Sequence, residues 1–171
     1  MRAHPPYLVL CLGLVACSAS KNTEATEAYK LHDPAAQKEI ESMMKEGFDE
    51  MNQGSFSYWK NTADPAAIAW DVDEEGNPVS ASGTEEIAAM MDGYQKMADS
   101  GTKVTTTIDA ITCRSSTNVG HCLIEFDQTF TKDGKTMGPV KLRGTAVMER
   151  VDGKWLWTHW HSSERERPPS E

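Results

Sequence analysis

Residues 152–163, DGKWLWTHWHSS, decide the fold of this chain. They begin with Asp152-Gly153, a dipeptide that supports the positive φ angles of a two-residue hairpin turn. Apolar and aromatic side chains then follow with a period of two, which predicts a central β-strand. Residues 142–151 predict its partner strand. Regular alternation would place Trp155, Trp157, His159 and His161 on one face, and Leu156, Thr158 and Trp160 on the other.

Upstream of this hairpin, the sequence predicts helices first and strands afterwards. Asp33 and Pro34 suit the N-cap and first position of a helix, whose apolar residues recur at helical spacing until Gly54. Further helices are predicted at residues 56–61 and 85–98, and strands at residues 66–72, 79–81, 103–113, 120–131 and 141–150. This order predicts an α+β fold, with helices packed on one curved, mostly antiparallel sheet.

The last hairpin also carries a family resemblance. Residues 145–163, TAVMERVDGKWLWTHWHSS, resemble the final hairpin of SnoaL-like proteins in the nuclear transport factor 2-like superfamily. The Thr-x-Val strand, the DGKW turn and the His-x-His-x-Ser ending are especially similar to the association domain of calmodulin-dependent kinases. The resemblance implies a cystatin-like cone with a pocket between sheet and helices. It leaves the function open, because this superfamily hosts isomerases, cyclases, dehydratases, binding modules and oligomerisation domains.

The N-terminal residues are typical of an export signal. An arginine at position 2 precedes an apolar run at residues 7–15, and the following LVAC resembles a bacterial lipobox. This resemblance implies cleavage before Cys17 and acylation of that cysteine, with palmitate among the expected acyl chains. An ordinary signal peptide, or a short apolar N-terminus in a cytosolic protein, is the alternative.

The predicted organisation has four parts. Residues 1–16 are a signal peptide, residues 17–32 a lipidated cysteine with a flexible tether, residues 33–163 the SnoaL-like domain, and residues 164–171 a disordered tail. We expect a lipid-anchored protein of the bacterial cell envelope, and Ser18 after the lipidated cysteine resembles an outer-membrane address facing the periplasm.

Composition limits the partners. The formal net charge is −9 and no basic stripe is present, which argues against nucleic acid and against electrostatic attraction to anionic lipid. Contact with a membrane is therefore predicted through the N-terminal lipid only. The expected partners are an unknown small molecule or protein, together with a second copy of the chain in a homodimer.

Cys113 and Cys122 predict a disulfide. Antiparallel pairing of their strands opposes residues whose numbers sum to a constant, so the two cysteines face each other. The same register places Ile111 opposite Ile124 and Asp109 opposite Phe126. Opposed Cβ atoms lie ~4.5–5.5 Å apart, close to the separation that a disulfide needs, and export favours oxidation. Free thiols are one alternative, and a zinc site with His121 is another, although this spacing supplies too few ligands.

Seven residues are predicted to line the ligand pocket: Tyr58, Trp59, Arg143, Trp155, Trp157, His159 and His161. The two histidines could accept a proton or hold an anionic group. Alternatively, they fix the strand end through Ser163, or bind a metal for which the spacing supplies no further ligands. In the kinase association domain an arginine follows the matching threonine; this chain has Ala146 there, and Arg143 could substitute.

Asp71 and His161 are the candidate catalytic residues. Ketosteroid-isomerase-like enzymes of this superfamily place a carboxylate base inside the cone, and Tyr58 and Asp127 could accompany Asp71 in such roles. The surrounding residues match no motif of those enzymes, so the roles are not carried over, and a solvated strand end is the alternative for Asp71. The sequence has no glycine-rich phosphate loop and no G-x-S-x-G motif, and no cofactor or metal is predicted.

Two functions follow as hypotheses. The favoured one is a non-catalytic domain that binds a small ligand, or mediates assembly, through its cone pocket. The alternative is an enzyme of the ketosteroid isomerase or polyketide cyclase type that transfers protons on a small carbonyl compound.

Overall fold

A computed structural model describes residues 33–73 and 77–165 of the chain. The predicted signal peptide, the lipidation site Cys17, the tether and residues 166–171 lie outside these described residues. The elements are α1 (Pro34–Asn52), α2 (Ser57–Asn61), β1 (Ala63–Val72), β2 (Pro78–Ser82), α3 (Gly83–Asp99), β3 (Lys103–Ser115), β4 (Val119–Lys132), β5 (Lys135–Val151) and β6 (Lys154–Glu164). Within the described ranges, no helix is long and apolar enough to cross a bilayer.

The six strands form one curved sheet in the order β2-β1-β6-β5-β4-β3. β1 and β6 run parallel, and the other neighbouring strands are antiparallel. α1 packs against β3 and β4, and α3 packs against β1 and β2. We call the helix-covered face of the sheet the inner face and the opposite one the outer face. This arrangement confirms the predicted α+β class.

α1 begins where the sequence predicts. The Asp33 carboxylate caps it by accepting hydrogen bonds from the backbone N–H groups of Ala35 (3.0 Å) and Ala36 (3.1 Å). Its buried face comprises Ala36, Ile40, Met43, Met44, Gly47, Phe48 and Met51. The glycine in this face permits a close approach, because a Cβ at Gly47 would lie only 2.5 Å from a ring carbon of Trp59. The indole ring of Trp59 in α2 therefore packs directly on the α1 backbone at Gly47.

A β-bulge in β6 overturns the predicted face assignment. Met148 of β5 pairs with Trp157, but the next residue of β5, Val147, pairs with His159, so Thr158 is an extra residue. One extra residue reverses the alternation of side chains beyond it. The prediction that His159 shares a face with Trp157 is therefore wrong.

The cysteine register agrees with the prediction near the disulfide and departs from it further along. Cys113 and Cys122 face each other, with Cα atoms 4.1 Å apart, and are joined by a disulfide. Both side chains are buried against the inner face. A second bulge at Asp109 shifts the register, so Phe126 pairs with Ile108 instead. Within the described ranges, no three potential metal-binding side chains gather at one place.

The domain extends past the predicted boundary at residue 163. Glu164 belongs to β6, so its placement in the tail was wrong. The guanidinium of Arg165 then contacts the carboxylates of Asp109 (2.5 Å), Glu125 (3.0 Å) and Asp127 (2.6 Å) on β3 and β4. These contacts join the end of the described chain to β3 and β4, beyond the neighbouring strand β5. Asp127 serves this ion cluster and does not face the cavity.

Candidate functional site

A cavity of about 330 Å³ lies between the helices and the inner face of the sheet. Its volume falls in the range of small-molecule sites, ~300–1,000 Å³. All three helices and five of the six strands contribute to its wall, because the sheet curves around α1 and α3. Methionines from α1 and α3 and Leu142 from β5 supply much of the aliphatic surface. The fold therefore provides a site that can remove a small apolar molecule from water.

Aromatic rings form most of the remaining wall. We call six of them the aromatic lining: Phe48, Phe56, Trp59, Phe126, Trp157 and Trp160. Trp160 is central to this group, because its ring centroid lies 6.2 Å from Phe48, 5.9 Å from Trp59 and 6.3 Å from Phe126. Tilted and edge-to-face pairs at these separations stabilise one another. Phe48, Trp59, Phe126 and Trp160 therefore form a mutually packed group within the lining.

One carboxyl group interrupts this apolar wall. Asp71 lies near the end of β1 and accepts hydrogen bonds from the backbone N–H of Val72 (2.9 Å) and from the hydroxyl of Ser162. The side chains of Trp160 and Tyr94 also hydrogen-bond to it. Burial raises the pKa of the Asp71 carboxyl above its ordinary value, and the bonds from Ser162, Val72 and Trp160 oppose that rise. Ionising the Asp71 carboxyl group therefore costs free energy because the group is buried, and its hydrogen bonds offset part of that cost.

Tyr94 of α3 completes the polar part of the wall. Its ring stacks on Phe56, with centroids 5.4 Å apart, and its hydroxyl hydrogen-bonds to Asp71. Burial raises the pKa of Tyr94 well above its ordinary value, and the nearby carboxylates of Asp71 and Asp73 raise it further. Tyr94 therefore stays neutral at physiological pH and can act as a hydrogen-bond donor.

Three of the residues singled out from the sequence meet in this cavity. Trp59 and Trp157 line it, as does the candidate base Asp71. The indole N–H of Trp157 donates to the backbone carbonyl of Trp59 (2.8 Å), which ties the Trp157 side chain to the α2 backbone.

Three other predicted lining residues lie elsewhere. Tyr58 packs against the core and directs its hydroxyl to Glu46 of α1, and burial together with Glu46 raises the pKa of Tyr58 to about 12. Trp155 donates to Glu39 of α1 (2.7 Å). Arg143 is exposed on the outer face, where it donates to Ser163 (3.3 Å). Their placement in the cavity was wrong, because they lie beyond its edge or on the other side of the sheet.

His159 and His161 lie on the outer face, away from the cavity. They pair with Ile68 and Trp70 of β1, which are 42% and 58% exposed. The ring of His161 meets that of Trp70 edge-on at 6.5 Å. The bulge at Thr158 is the physical reason, because it moves both imidazoles off the face that carries Trp157. Neither histidine can therefore touch a molecule inside the cone.

The sequence reasoning missed several residues that matter most here. Trp160 was placed on the opposite face by the regular alternation that the bulge breaks, and Ser162, which donates to Asp71, was not singled out. Phe48 and Tyr94 were recognised only as parts of apolar helix faces. Gln128, whose side-chain amide donates to Thr106 (3.3 Å), also lines the cavity without having been singled out.

The cone architecture and its apolar site define a protein of the nuclear transport factor 2-like class. The family profile of the SnoaL-like domain matches residues 78–165, just over half of the chain. The chain therefore belongs to the SnoaL-like domain family, as the last hairpin predicted. A comparison with curated protein sequences finds no match.

Solved structures share this fold at low sequence identity. A protein with a cystatin-like fold from Caulobacter vibrioides is 17% identical, with a TM-score of 0.60 over 74% of this chain and 87% of that one. A proposed calcium/calmodulin-dependent protein kinase II association domain from Xanthomonas campestris is 20% identical, with a TM-score of 0.62 over 76% and 88%. A proposed dehydratase of the same superfamily from Streptomyces avermitilis is 13% identical, with a TM-score of 0.61 over 78% and 98%. At these identities the similarity establishes the fold alone.

Proposed function

We propose that this protein is a binding module that holds a small, largely apolar molecule in its cone cavity without transforming it. The observation that carries the proposal is the cavity of about 330 Å³, enclosed by the aromatic lining and interrupted by few polar groups. Such sites gain affinity from apolar burial and orientation from a few convergent polar groups. Asp71 and Tyr94 would supply that orientation.

Binding can be tested with N-phenyl-1-naphthylamine, a neutral probe that fluoresces in apolar surroundings. Gly93 of α3 lines the cavity but is exposed, so it lies at the rim, and a Cβ there would meet nothing within 4 Å. Gly93→Phe should weaken probe binding at least about tenfold by narrowing the entrance, whereas Gly93→Ala should bind like the wild type. Equal affinity in all three proteins, or no binding at all, would contradict the proposal.

A second candidate is proton-transfer catalysis, and one observation favours it. Asp71 is a cavity carboxyl with a raised pKa beside the neutral hydroxyl of Tyr94, and catalytic bases require such perturbed groups. Assay of the purified protein on β,γ-unsaturated ketones would test it. Turnover that Asp71→Asn abolishes while the variant still binds N-phenyl-1-naphthylamine would establish the enzyme; absence of turnover throughout would favour the binding module.

The proposal includes export and lipid anchoring. It is supported by the sequence around Cys17, where LVAC follows an apolar run. Intact-mass analysis of the membrane fraction of a bacterial host should show loss of residues 1–16 and a gain of acyl mass. Separation of inner and outer membranes should find the protein in the outer membrane, where we expect it to face the periplasm. Unchanged membrane partitioning of a Cys17→Ala protein would contradict the anchor.

The proposal also includes a homodimer through the outer face. Ile68, Trp70 and Leu123 are exposed there, and they would be covered by a second copy. Regular alternation had placed Trp160 on the face opposite Trp157; in the structure Trp160 lines the cavity, and Trp70 of β1 is the exposed tryptophan of the outer face. Trp70→Glu should shift sedimentation from dimer to monomer at tens of micromolar, while Met137→Glu, at an exposed position of β5, should not. A wild-type protein that sediments only as a monomer would contradict this assembly.

A further inference from the structure

The cavity wall carries charge of one sign only. Among the described residues that line it, the acids are Asp71 and Asp73, and no lysine, arginine or histidine contributes. The nearest imidazole acting on Asp71 is that of His161, which lowers the pKa of Asp71 from the outer face of the sheet. The ionisable groups that the described wall offers to the cone interior are therefore acids and the neutral Tyr94, set among apolar groups.

An ionised carboxylate in such an interior raises the free energy of the protein unless other groups compensate its charge. Moving a carboxylate from water into apolar surroundings costs free energy unless hydrogen bonds and an opposite charge compensate it. Ser162, Val72, Trp160 and Tyr94 supply hydrogen bonds to Asp71. Inside the cavity, no described side chain supplies the positive charge.

The aromatic lining favours the same kind of partner. Ring faces carry negative potential and attract cations within about 6 Å of the ring centroid, most strongly for tryptophan. Trp59, Trp157 and Trp160 all belong to the lining, next to Phe48 and Phe126. Apolar surroundings weaken this attraction less than bulk water does.

We propose that the ligand is an apolar molecule carrying one positively charged nitrogen, held with the nitrogen between Asp71 and the tryptophan rings. This inference rests on the proposed binding function and names the chemical class of its ligand. A neutral carbonyl compound is the competing class, and it would need Asp71 protonated so that the carboxyl could donate a hydrogen bond.

Two probes of the same shape separate the classes. Benzyltrimethylammonium carries a fixed positive charge, and 2,2-dimethylpropylbenzene replaces its nitrogen with carbon. Binding of each to the purified full-length protein is followed by tryptophan fluorescence at about pH 8. The cation should bind at least about tenfold more tightly than the hydrocarbon, because only the cation interacts with Asp71 and the ring quadrupoles.

The variant Asp71→Asn tests whether the preference for the cation over the hydrocarbon depends on Asp71. It should weaken binding of the cation by about tenfold and leave the hydrocarbon within about twofold, since the shape of the cavity is kept. Tyr94→Phe, which removes a hydroxyl but no charge, should reduce the preference for the cation far less. The comparison of the two probes on the wild type stands even if either variant fails to fold.

The pH dependence provides an independent readout. Benzyltrimethylammonium does not titrate, so any change in its affinity belongs to the protein. Three titratable groups face Asp71: Tyr94 from α3, Asp73 beyond β1, and His161 from β6 across the sheet. Tyr94 remains neutral at physiological pH. Affinity for the cation should rise with pH as Asp71 ionises, and Asp71→Asn should lose most of that rise.

The outcomes are distinct. Tighter binding of the cation that depends on Asp71 supports the inference. Equal or tighter binding of the hydrocarbon overturns the ligand class while the binding function stands. If neither probe nor N-phenyl-1-naphthylamine binds up to its solubility limit, both proposals are overturned.

Discussion

Trp157 and His159 are two residues apart in β6, yet their side chains lie on opposite faces of the sheet. Val147 and Met148 are adjacent in β5 but pair with His159 and Trp157, which leaves Thr158 as an extra residue. The bulge gives the cavity Trp160 and removes both histidines from it. The chemistry of the site therefore changes from an imidazole pair to one carboxyl group among rings.

Replacing Trp160 tests this geometry directly. Trp160 lines the cavity and contacts three other rings, whereas Trp70 is 58% exposed on the outer face. Trp160→Ala should lower the free energy of unfolding by about 3 kcal/mol, the range for loss of a large packed ring. Trp70→Ala should change it by less than about 1 kcal/mol. Urea denaturation measures both, and a reversed order would contradict the bulge.

The sequence predicted those features that depend on local chemistry. The Asp152-Gly153 turn has φ angles of 50° and 80°, as the dipeptide indicated. The helix N-cap at Asp33 and the facing cysteines follow from preferences of one or two residues, and the structure confirms them. Such features could be predicted because they need no knowledge of distant parts of the chain.

The candidate site was harder to predict because it depends on the tertiary fold. A bulge inserts a residue without any change in composition, so the period of two around Thr158 gave no indication of it. The contact of Asp71 with Tyr94 joins β1 to α3, and Ser162 reaches the same carboxyl from β6. The local sequence around each residue gives no indication of these contacts. Asp71 and Ser162 come together only through the parallel pairing of β1 with β6.

Gly47 provides a second prediction, because it lies beneath Trp59. A Cβ at this position would meet ring carbons of Trp59 at 2.5 and 2.7 Å. Gly47→Ala should therefore lower the free energy of unfolding by about 1–3 kcal/mol and weaken probe binding by displacing a ring of the cavity wall. Gly93→Ala, at a helical glycine with open space, should instead stabilise by about 0.5–1 kcal/mol. Thermal denaturation compares the two variants. Equal shifts in melting temperature would contradict the steric conflict between a Cβ at Gly47 and the ring of Trp59.

Arg165 provides a third prediction, about where the domain ends. Its guanidinium contacts carboxylates of Asp109, Glu125 and Asp127, so a chain ending at residue 163 loses these contacts and the end of β6. That truncated chain should denature at lower urea concentration than a chain ending at residue 165. Arg165→Gln in the longer chain should reproduce part of the loss, and the loss should shrink in high salt because the partner carboxylates are partly exposed. Identical midpoints for both lengths would place the boundary at residue 163 after all.

Asp71 provides the last prediction, through the pH dependence of stability. Its pKa is raised in the folded protein by burial, so the folded state binds this proton more tightly than the unfolded state does. Its stabilising contribution is therefore complete below the unfolded pKa of ~3.9 and is lost as the pH rises towards the folded pKa. Above the folded pKa, the free-energy cost of burying the ionised carboxylate no longer changes with pH. Asp71→Asn removes the titrating group, so the difference in unfolding free energy between variant and wild type should shift in favour of the variant as the pH rises through that window. Urea denaturation of both proteins from about pH 4 upwards measures this difference. A difference that stays constant with pH would mean that burial does not raise the pKa of Asp71 in the folded protein.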